Sequence, residues 1–168
     1  MIPDVSTLPV GESVTMTRRF SASLAELWDL WTTAQGIERW WGPPGFGVMV
    51  HSIDLRAGGM LSYTMSAHAP EMVAFMRVNG MPTDTKAQII YSEVTPLKRL
   101  AYAHLVDFVP GVTPYHIALA VDFGGAGGEA ELRLTFQRMH DAEWSERQRM
   151  GWQLELGKLK AVLTPDAA

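Results

Sequence analysis

Residues 141–163 read DAEWSERQRMGWQLELGKLKAVL, and this stretch decides the predicted fold. Trp152, Leu156 and Leu159 recur on one face of a helical segment. The stretch therefore predicts a long amphipathic helix that must bury this face against another element. Gly151 lies inside the helix, where glycine costs about 1 kcal/mol relative to alanine. We interpret this glycine as a position that a sheet or a ligand approaches closely.

The residues before this helix predict mainly β-strands, because apolar and polar side chains alternate in them with a period of two. The strands are expected at residues 14–20, 48–55, 60–67, 86–94, 99–107, 116–123 and 129–138. Short helices are expected at residues 23–33, 35–41 and 71–77. Ser23 and Glu26 form an S-x-x-E capping box at the start of the first of these helices.

The connections between the strands are short and rich in glycine or proline, which favours antiparallel pairing and argues against a parallel α/β sheet. We therefore predict an α+β fold. A curved antiparallel sheet of about six or seven strands wraps around the long C-terminal helix, and two short helices follow the first strand. Residues 13–164 are expected to form this single domain, and residues 1–12 are expected to form a surface arm.

The composition excludes several classes of protein. The chain has 168 residues, no cysteine and a formal net charge of −4. One domain of this length can build a core without disulfides, and the lack of cysteine excludes thiolate nucleophiles and Cys-ligated zinc. Scattered Lys and Arg argue against a nucleic-acid partner. No apolar run approaches the roughly 18 residues that membrane insertion needs, and the N-terminus lacks a secretory pattern, so we expect a cytoplasmic protein.

Several local motifs point to a known family. They are AELWDLW at 25–31, RWWGPPG at 39–45, DLRAGG at 54–59, YSEVTPLKRL at 91–100, LRLTF at 132–136 and Gly151-Trp152. Together they resemble the START-like helix-grip superfamily (SRPBCC). Within it, they resemble the family related to the C-terminal domain of the activator of heat-shock-protein-90 ATPase, including its bacterial, polyketide-cyclase-like members. The Met-rich segment 68–85 and the segment 104–114 depart from that pattern.

The resemblance implies a cavity between the sheet and the long helix, suited to a small apolar or amphipathic molecule. Strand alternation and the position of the helices predict which residues line this cavity. The expected ligand-binding residues are Trp41, Tyr63, Met65, Met76, Tyr91, Tyr102, His104, Phe123 and Trp152. The Met-rich segment 68–85 is a candidate lid, because methionine adapts to apolar guests of varied shape. The alternative is that this segment only packs on the sheet edge.

Glu93 and His104 form a candidate acid–base pair. If the alternation of period two holds, Glu93 shares a face with Tyr91. Glu93 and His104 would then both reach the cavity. The alternative is that Glu93 makes a structural bond, for example to Arg99, since buried carboxylates are usually paired. With both interpretations open, the catalytic residues stay undetermined.

The histidines give no metal-binding spacing. His104, Asp107 and His116 could meet across a hairpin and bind zinc, but no H-E-x-x-H motif or other His pair at i, i+4 supports such a site. We therefore expect no metal and no cofactor.

Three functions remain in competition after the sequence analysis. The leading hypothesis is non-covalent binding of a small apolar or amphipathic molecule. The second is an enzyme of the cyclase, dehydratase or hydrolase type that uses His104 and Glu93. The third is a chaperone-associated protein-interaction module, which predicts an exposed apolar patch instead of an internal cavity. A homodimer is possible in each case.

Overall fold

The computed structural model describes residues 5–9 and 11–163. A short 3-10 helix at Val5–Thr7 precedes the main elements. The strands are β1 Ser13–Phe20, β2 Phe46–Ile53, β3 Met60–Ala67, β4 Asp84–Thr95, β5 Arg99–Val106, β6 Tyr115–Ala126 and β7 Glu129–Gln137. The helices are α1 Leu24–Thr32, α2 Ala34–Glu38, α3 Pro70–Val78 and α4 Ala142–Leu163.

The strands of the described residues form one seven-stranded antiparallel sheet in the order β1-β7-β6-β5-β4-β3-β2. Strands β2 to β7 are each neighbours of the next strand in the chain, as expected where short turns join antiparallel strands. Only β1 pairs out of sequence, because it lies beside β7. The predicted helix-grip architecture, a curved antiparallel sheet with a long C-terminal helix, is confirmed.

The two short helices after β1 begin at side-chain caps. The Ser23 Oγ accepts a hydrogen bond from the Glu26 backbone N–H at 3.1 Å, as the capping box predicts. The Thr33 Oγ1 likewise accepts from the Gly36 N–H at 3.0 Å and so starts α2 where α1 ends. Gly36 has no room for a Cβ, which would lie 2.4 Å from the Asp29 carbonyl oxygen. This tight corner packs both helices against the sheet.

The core lies between the concave sheet face and the helices. Trp31 is at its centre: its ring centroid is 4.7 Å from that of Trp40 and 6.1 Å from those of Trp41 and Trp152. Trp40 is fully buried, and its Nε1 donates to the Leu30 carbonyl oxygen at 2.7 Å. These aromatic rings hold α1, α2 and α4 to the same end of the sheet, because each buries a large apolar area.

Residues 5–9 pack on part of the convex face of the sheet. Val5 is buried against Ala101, Ala118 and Ala120, and Leu8 packs beside them. These small side chains on β5 and β6 leave room for Val5 and Leu8 to pack on the sheet. None of the helices in the described residues is long and apolar enough to cross a membrane.

Strand β4 contains an irregularity that changes which side chains face the core. Tyr91 pairs with Tyr102, but the next paired residue, Glu93, is opposite Ala101, so Ser92 is an extra residue in the ladder. One extra residue reverses the alternation beyond it. Glu93 therefore shares the convex face with Ala101, whereas Tyr91 faces the core.

The packing of α4 on the sheet can be tested with two leucines of the same helix. Leu159 is fully buried and Leu154 is 51% exposed. Leu159→Ala should lower the free energy of unfolding by about 2–5 kcal/mol, because it leaves a cavity in the core. Leu154→Ala should change it by less than about 0.5 kcal/mol. Urea denaturation of both variants measures the difference, and equal effects would contradict this placement of α4.

Candidate functional site

Two adjacent cavities lie between the concave sheet face and α4. Their volumes are about 190 and 170 Å³. Each is larger than the roughly 150 Å³ of an engineered cavity that holds benzene. Both are walled by five shared residues: Trp41, Tyr63, His104, Phe108 and Glu155. The pair therefore has room for a small organic molecule of one or two rings.

Each cavity has further walls of its own. The first is completed by Ile89, Tyr102, Val106, Ile117, Met139, Gln148, Gly151 and Trp152. The second is completed by Gly42, Pro43, Met65, Thr85, Lys86, Ala87, Leu105 and Asp107. Both cavities are therefore mainly apolar, and the second has additional polar walls from Thr85 and Lys86 on β4 and from Asp107 after β5.

Six of the nine predicted ligand-binding residues line the cavities. They are Trp41, Tyr63, Met65, Tyr102, His104 and Trp152. The others, Tyr91, Phe123 and Met76, lie elsewhere. Tyr91 is buried behind Tyr102, with ring centroids 6.4 Å apart. Phe123 packs edge-on against Trp28 at 5.1 Å, in the solid part of the core.

Met76 is buried on α3, and neither cavity touches it, so its prediction as a wall residue is not supported. Phe75, Val78 and Met81, on α3 or just after it, are exposed. α3 therefore does not close the cavity as the predicted lid. Phe108, which follows β5 and borders both cavities, is the most exposed of their shared wall residues, at 46%.

The predicted pairing of Glu93 with His104 is wrong, because the extra residue at Ser92 turns Glu93 to the convex face. Glu93 Oε2 accepts from Thr95 Oγ1 at 2.8 Å, and its Oε1 is 3.3 Å from Arg99 Nε. His104 remains at the cavity. The alternative interpretation of Glu93, a structural bond to Arg99, is the one that the geometry supports.

One of the two explanations for Gly151 is excluded. The sheet does not approach it closely, because a Cβ at Gly151 would have no protein atom within 4 Å, whereas approach by a ligand stays a prediction. Gly151 lines the first cavity, so its missing side chain enlarges empty space next to Trp152. No contact in the structure offsets the cost of glycine in the helix interior.

Glu155 is a charged wall residue of both cavities that the strand and helix patterns did not predict. It lines both cavities, and its Oε1 accepts a hydrogen bond from the Gly42 N–H at 2.9 Å. Burial raises the pKa of Glu155 to about 7, against the opposing effects of the Gly42 N–H and of Lys158. One signal could have found it: Glu155 lies three residues after Trp152, next to the apolar face of α4.

Lys158 ties the same loop to α4. Its Nζ donates to the Gly42 carbonyl oxygen at 2.8 Å and to the Phe46 carbonyl oxygen at 3.4 Å. Gly42 has φ +90°, a left-handed conformation that glycine adopts readily. One helix therefore holds both polar groups of Gly42, with a carboxylate on its N–H and an ammonium on its carbonyl. This link fixes the loop that closes the second cavity.

His104 is neutral at physiological pH. The pKa of His104 is lowered from 6.5 to about 4, mainly by burial; Asp107 opposes this shift and His116 adds to it. No group of three or more His, Cys, Asp or Glu side chains within the described residues could hold a metal ion.

Several polar atoms of the cavity walls are buried without a hydrogen-bond partner in the described part of the chain. They are Trp41 Nε1, Tyr102 Oη and Gln148 Oε1. Gln148 is otherwise anchored, since its Nε2 donates to the Gln137 carbonyl oxygen at 3.1 Å. Burial raises the pKa of Tyr63 and of Tyr102 far above 10, so both phenols stay protonated. Trp31 Nε1 and Tyr91 Oη are unpartnered too, although neither residue lines a cavity. Buried polar groups in proteins nearly always have a partner, so a molecule or water that reaches Trp41 Nε1 or Tyr102 Oη would hydrogen-bond there.

Comparisons with known proteins agree with this architecture. A family model described as activator of Hsp90 ATPase homolog 1-like protein matches residues 21–164. A search of curated proteins gives no match. A crystal structure of a Chromobacterium violaceum protein is 22% identical, covers 92% of this chain and 99% of its own, and superposes with a TM-score of 0.74.

Two further structures carry the same fold. The AHSA1 protein from Silicibacter pomeroyi is 22% identical, with 90% of this chain and 97% of its own covered and a TM-score of 0.67. The AHSA1-like protein from Aeromonas hydrophila is 20% identical, with 88% and 89% covered and a TM-score of 0.63. The family resemblance found in the sequence motifs is confirmed by the family match, and the fold by these structures.

The raised pKa of Glu155 predicts a pH-dependent stability. Because the folded-state pKa of about 7 exceeds the ordinary 4.5, the protonated carboxyl stabilises the folded state below pH 4.5. This contribution is lost as the pH rises toward 7. The unfolding free energy of the wild type, relative to Glu155→Gln, should therefore fall across this window by at most about 1.4 kcal/mol per pH unit.

Urea denaturation at pH 5, 6, 7 and 8 measures this difference. Glu143→Gln is the matched control, because it removes an exposed carboxylate from the same helix. We expect the difference in unfolding free energy between the wild type and Glu143→Gln to change less over the same pH range. If the difference in unfolding free energy between the wild type and Glu155→Gln does not change from pH 5 to pH 7, Glu155 is well hydrated and the prediction is wrong.

Proposed function

We propose that this chain, which belongs to the family of activator of Hsp90 ATPase homolog 1-like proteins, binds a small apolar or amphipathic molecule in the cavities between the sheet and α4. The observation that carries this proposal is a largely apolar space whose wall residues include Trp41 and Tyr102, each with a buried polar atom that has no partner in the described residues. The family match and the fold alone support no particular chemistry, since one fold hosts many functions.

The size and lining of the cavities support a ligand that is mostly apolar. Ile89, Val106, Ile117 and Trp152 form much of the first cavity. Removing apolar surface from water contributes about 25 cal/mol per Å² before the costs of association are subtracted. A ring system that fills the space beside Gly151 would therefore gain most of its affinity from these walls.

The polar atoms support a ligand that also carries one oxygen-containing group. Trp41 Nε1 can only donate, whereas Tyr102 Oη can donate or accept. A carbonyl or hydroxyl oxygen placed near them would remove the cost of leaving them unpaired, which is about 1–3 kcal/mol for each buried group. These few groups would fix the orientation of the molecule, as is typical of small-molecule sites.

Thermal shift with four probes tests the proposal: naphthalene, 2-naphthol, 2-tetralone and decanoic acid. A ligand at about ten times its Kd stabilises the folded state by about 1.4 kcal/mol. For a domain of this size that stabilisation raises Tm by roughly 3–6 °C. Binding of none of the four probes would contradict the proposal.

Gly151 and Gly157 offer a matched pair of variants. Both lie in α4, and a Cβ at either position meets no atom within 4 Å, but only Gly151 lines the cavity. Gly151→Leu and Gly157→Leu should both gain helix propensity. Only Gly151→Leu should fill the cavity and lower the affinity for the probes, by about tenfold or more. Equal affinities of the two variants, measured by titration of tryptophan fluorescence, would place the binding site elsewhere.

A further inference from the structure

We propose that Glu155 is a general base that moves a proton on a carbonyl compound bound in these cavities, with the oxygen of that compound held by Tyr102 and Trp41. The inference rests on the proposed function, because it needs the cavity to bind such a compound. It goes beyond binding, since it assigns a reaction and replaces the Glu93–His104 pair with residues that the fold brings together.

The position of Glu155 supports the role of base. It borders both cavities, so a molecule in either one meets its side chain. Oε1 is occupied by the Gly42 N–H, and no hydrogen bond is formed to Oε2 within residues 5–9 and 11–163. One oxygen thus holds the carboxylate in place while the other is free to accept a proton from the ligand.

Tyr102 and Trp41 supply the donors that an enolate needs. Both side chains are more than nine-tenths buried, and their Oη and Nε1 atoms are unpartnered in the part of the chain that the structure describes. Donors already in place in a dry site stabilise the negative charge that develops on an oxygen during reaction. The two donors line the same cavity as Glu155.

The other titratable groups around Glu155 leave it as the base. Asp107 and Lys86 line only the second cavity, so Glu155 is the carboxylate that shares the first cavity with Tyr102. Tyr63 and Tyr102 remain protonated because burial raises the pKa of both phenols. His104 is a weak base, since burial lowers its pKa to about 4. Lys158 is engaged by the carbonyl oxygens of Gly42 and Phe46. Burial raises the pKa of Glu155 to about 7, which suits a proton acceptor near neutral pH.

The proposed step balances without a co-reactant. The C–H bond next to the carbonyl breaks, and its proton passes to Oε2 of Glu155. The electron pair forms a C=C bond, and the carbonyl π pair moves to the oxygen, which accepts hydrogen bonds from Tyr102 and Trp41. When the proton on Oε2 is replaced by a deuteron from the solvent, delivery of that deuteron to the same carbon gives exchange. Delivery of the proton to a different carbon of a conjugated ligand gives an isomer.

Proton exchange on 2-tetralone in D₂O tests the proposal. NMR follows the loss of the C1 protons, with the rate in buffer alone subtracted, and tryptophan fluorescence measures binding in parallel. We expect the wild type to accelerate exchange, with a rate that rises through pH 7 as Glu155 ionises. Glu155→Gln, which can still accept from the Gly42 N–H, should lower the catalysed rate about 100-fold or more and retain binding. Glu143→Gln, an exposed variant of the same helix, should retain the full rate.

Tyr102→Phe provides a second variant in case Glu155→Gln does not fold. It should slow the exchange at least about tenfold, because one donor to the enolate oxygen is lost. Binding of 2-tetralone without exchange above buffer, or equal exchange by Glu155→Gln and the wild type, would overturn the inference and leave the proposed function intact. Binding of other probes but not of the ketone would overturn it as well. Binding of no probe would overturn both proposals.

Discussion

The packing of one face of α4 against the concave side of the sheet is the constraint on which the rest of the structure depends. Toward its C-terminal end, Leu156 and Leu159 fill the space completely and join the helix to the core around Trp31. Nearer the start of the helix, Gly151 has no side chain, and the space between α4 and the sheet beside it is not filled. A close-packed interior has few voids, so an unfilled length of core beside a well-packed one is a specific property of this sequence.

The same helix supplies the polar side of the cavity. Glu155 accepts a hydrogen bond from the Gly42 N–H, and Lys158 donates one to the Gly42 carbonyl oxygen. Two side chains of opposite charge therefore join the loop after α2 to α4. Each hydrogen bond reduces the cost of keeping a charged group away from water. Since Glu155 also borders the cavities, the group that anchors the loop is also exposed to any bound molecule. Loop structure and cavity chemistry are therefore linked through one carboxylate.

Local sequence patterns are sufficient to place some strands and fail in others. Strand β3 spans Met60–Ala67, the bounds that alternation predicts, because each side chain there keeps its face along the whole strand. Alternation fails in β4, where the extra residue Ser92 moves Glu93 from the core face to the convex face. A bulge depends on how two strands pair, so the composition of one strand does not reveal it. The failure decides the candidate chemistry, since it removes one of the two proposed catalytic groups from the site.

The sequence by itself determined the elements, their order and the family, because periodicity, caps and turn residues are local properties of the chain. It also placed most of the aromatic wall, since Trp41, Tyr63, Tyr102 and Trp152 follow from strand alternation and the position of the helices. Only the tertiary structure decided that the space beside Gly151 is empty and that Glu155 lies in it. The size of that space and the position of Glu155 depend on the distances between α4, the sheet and the loop after α2. Those distances arise from packing between segments far apart in the chain, and no local pattern records them.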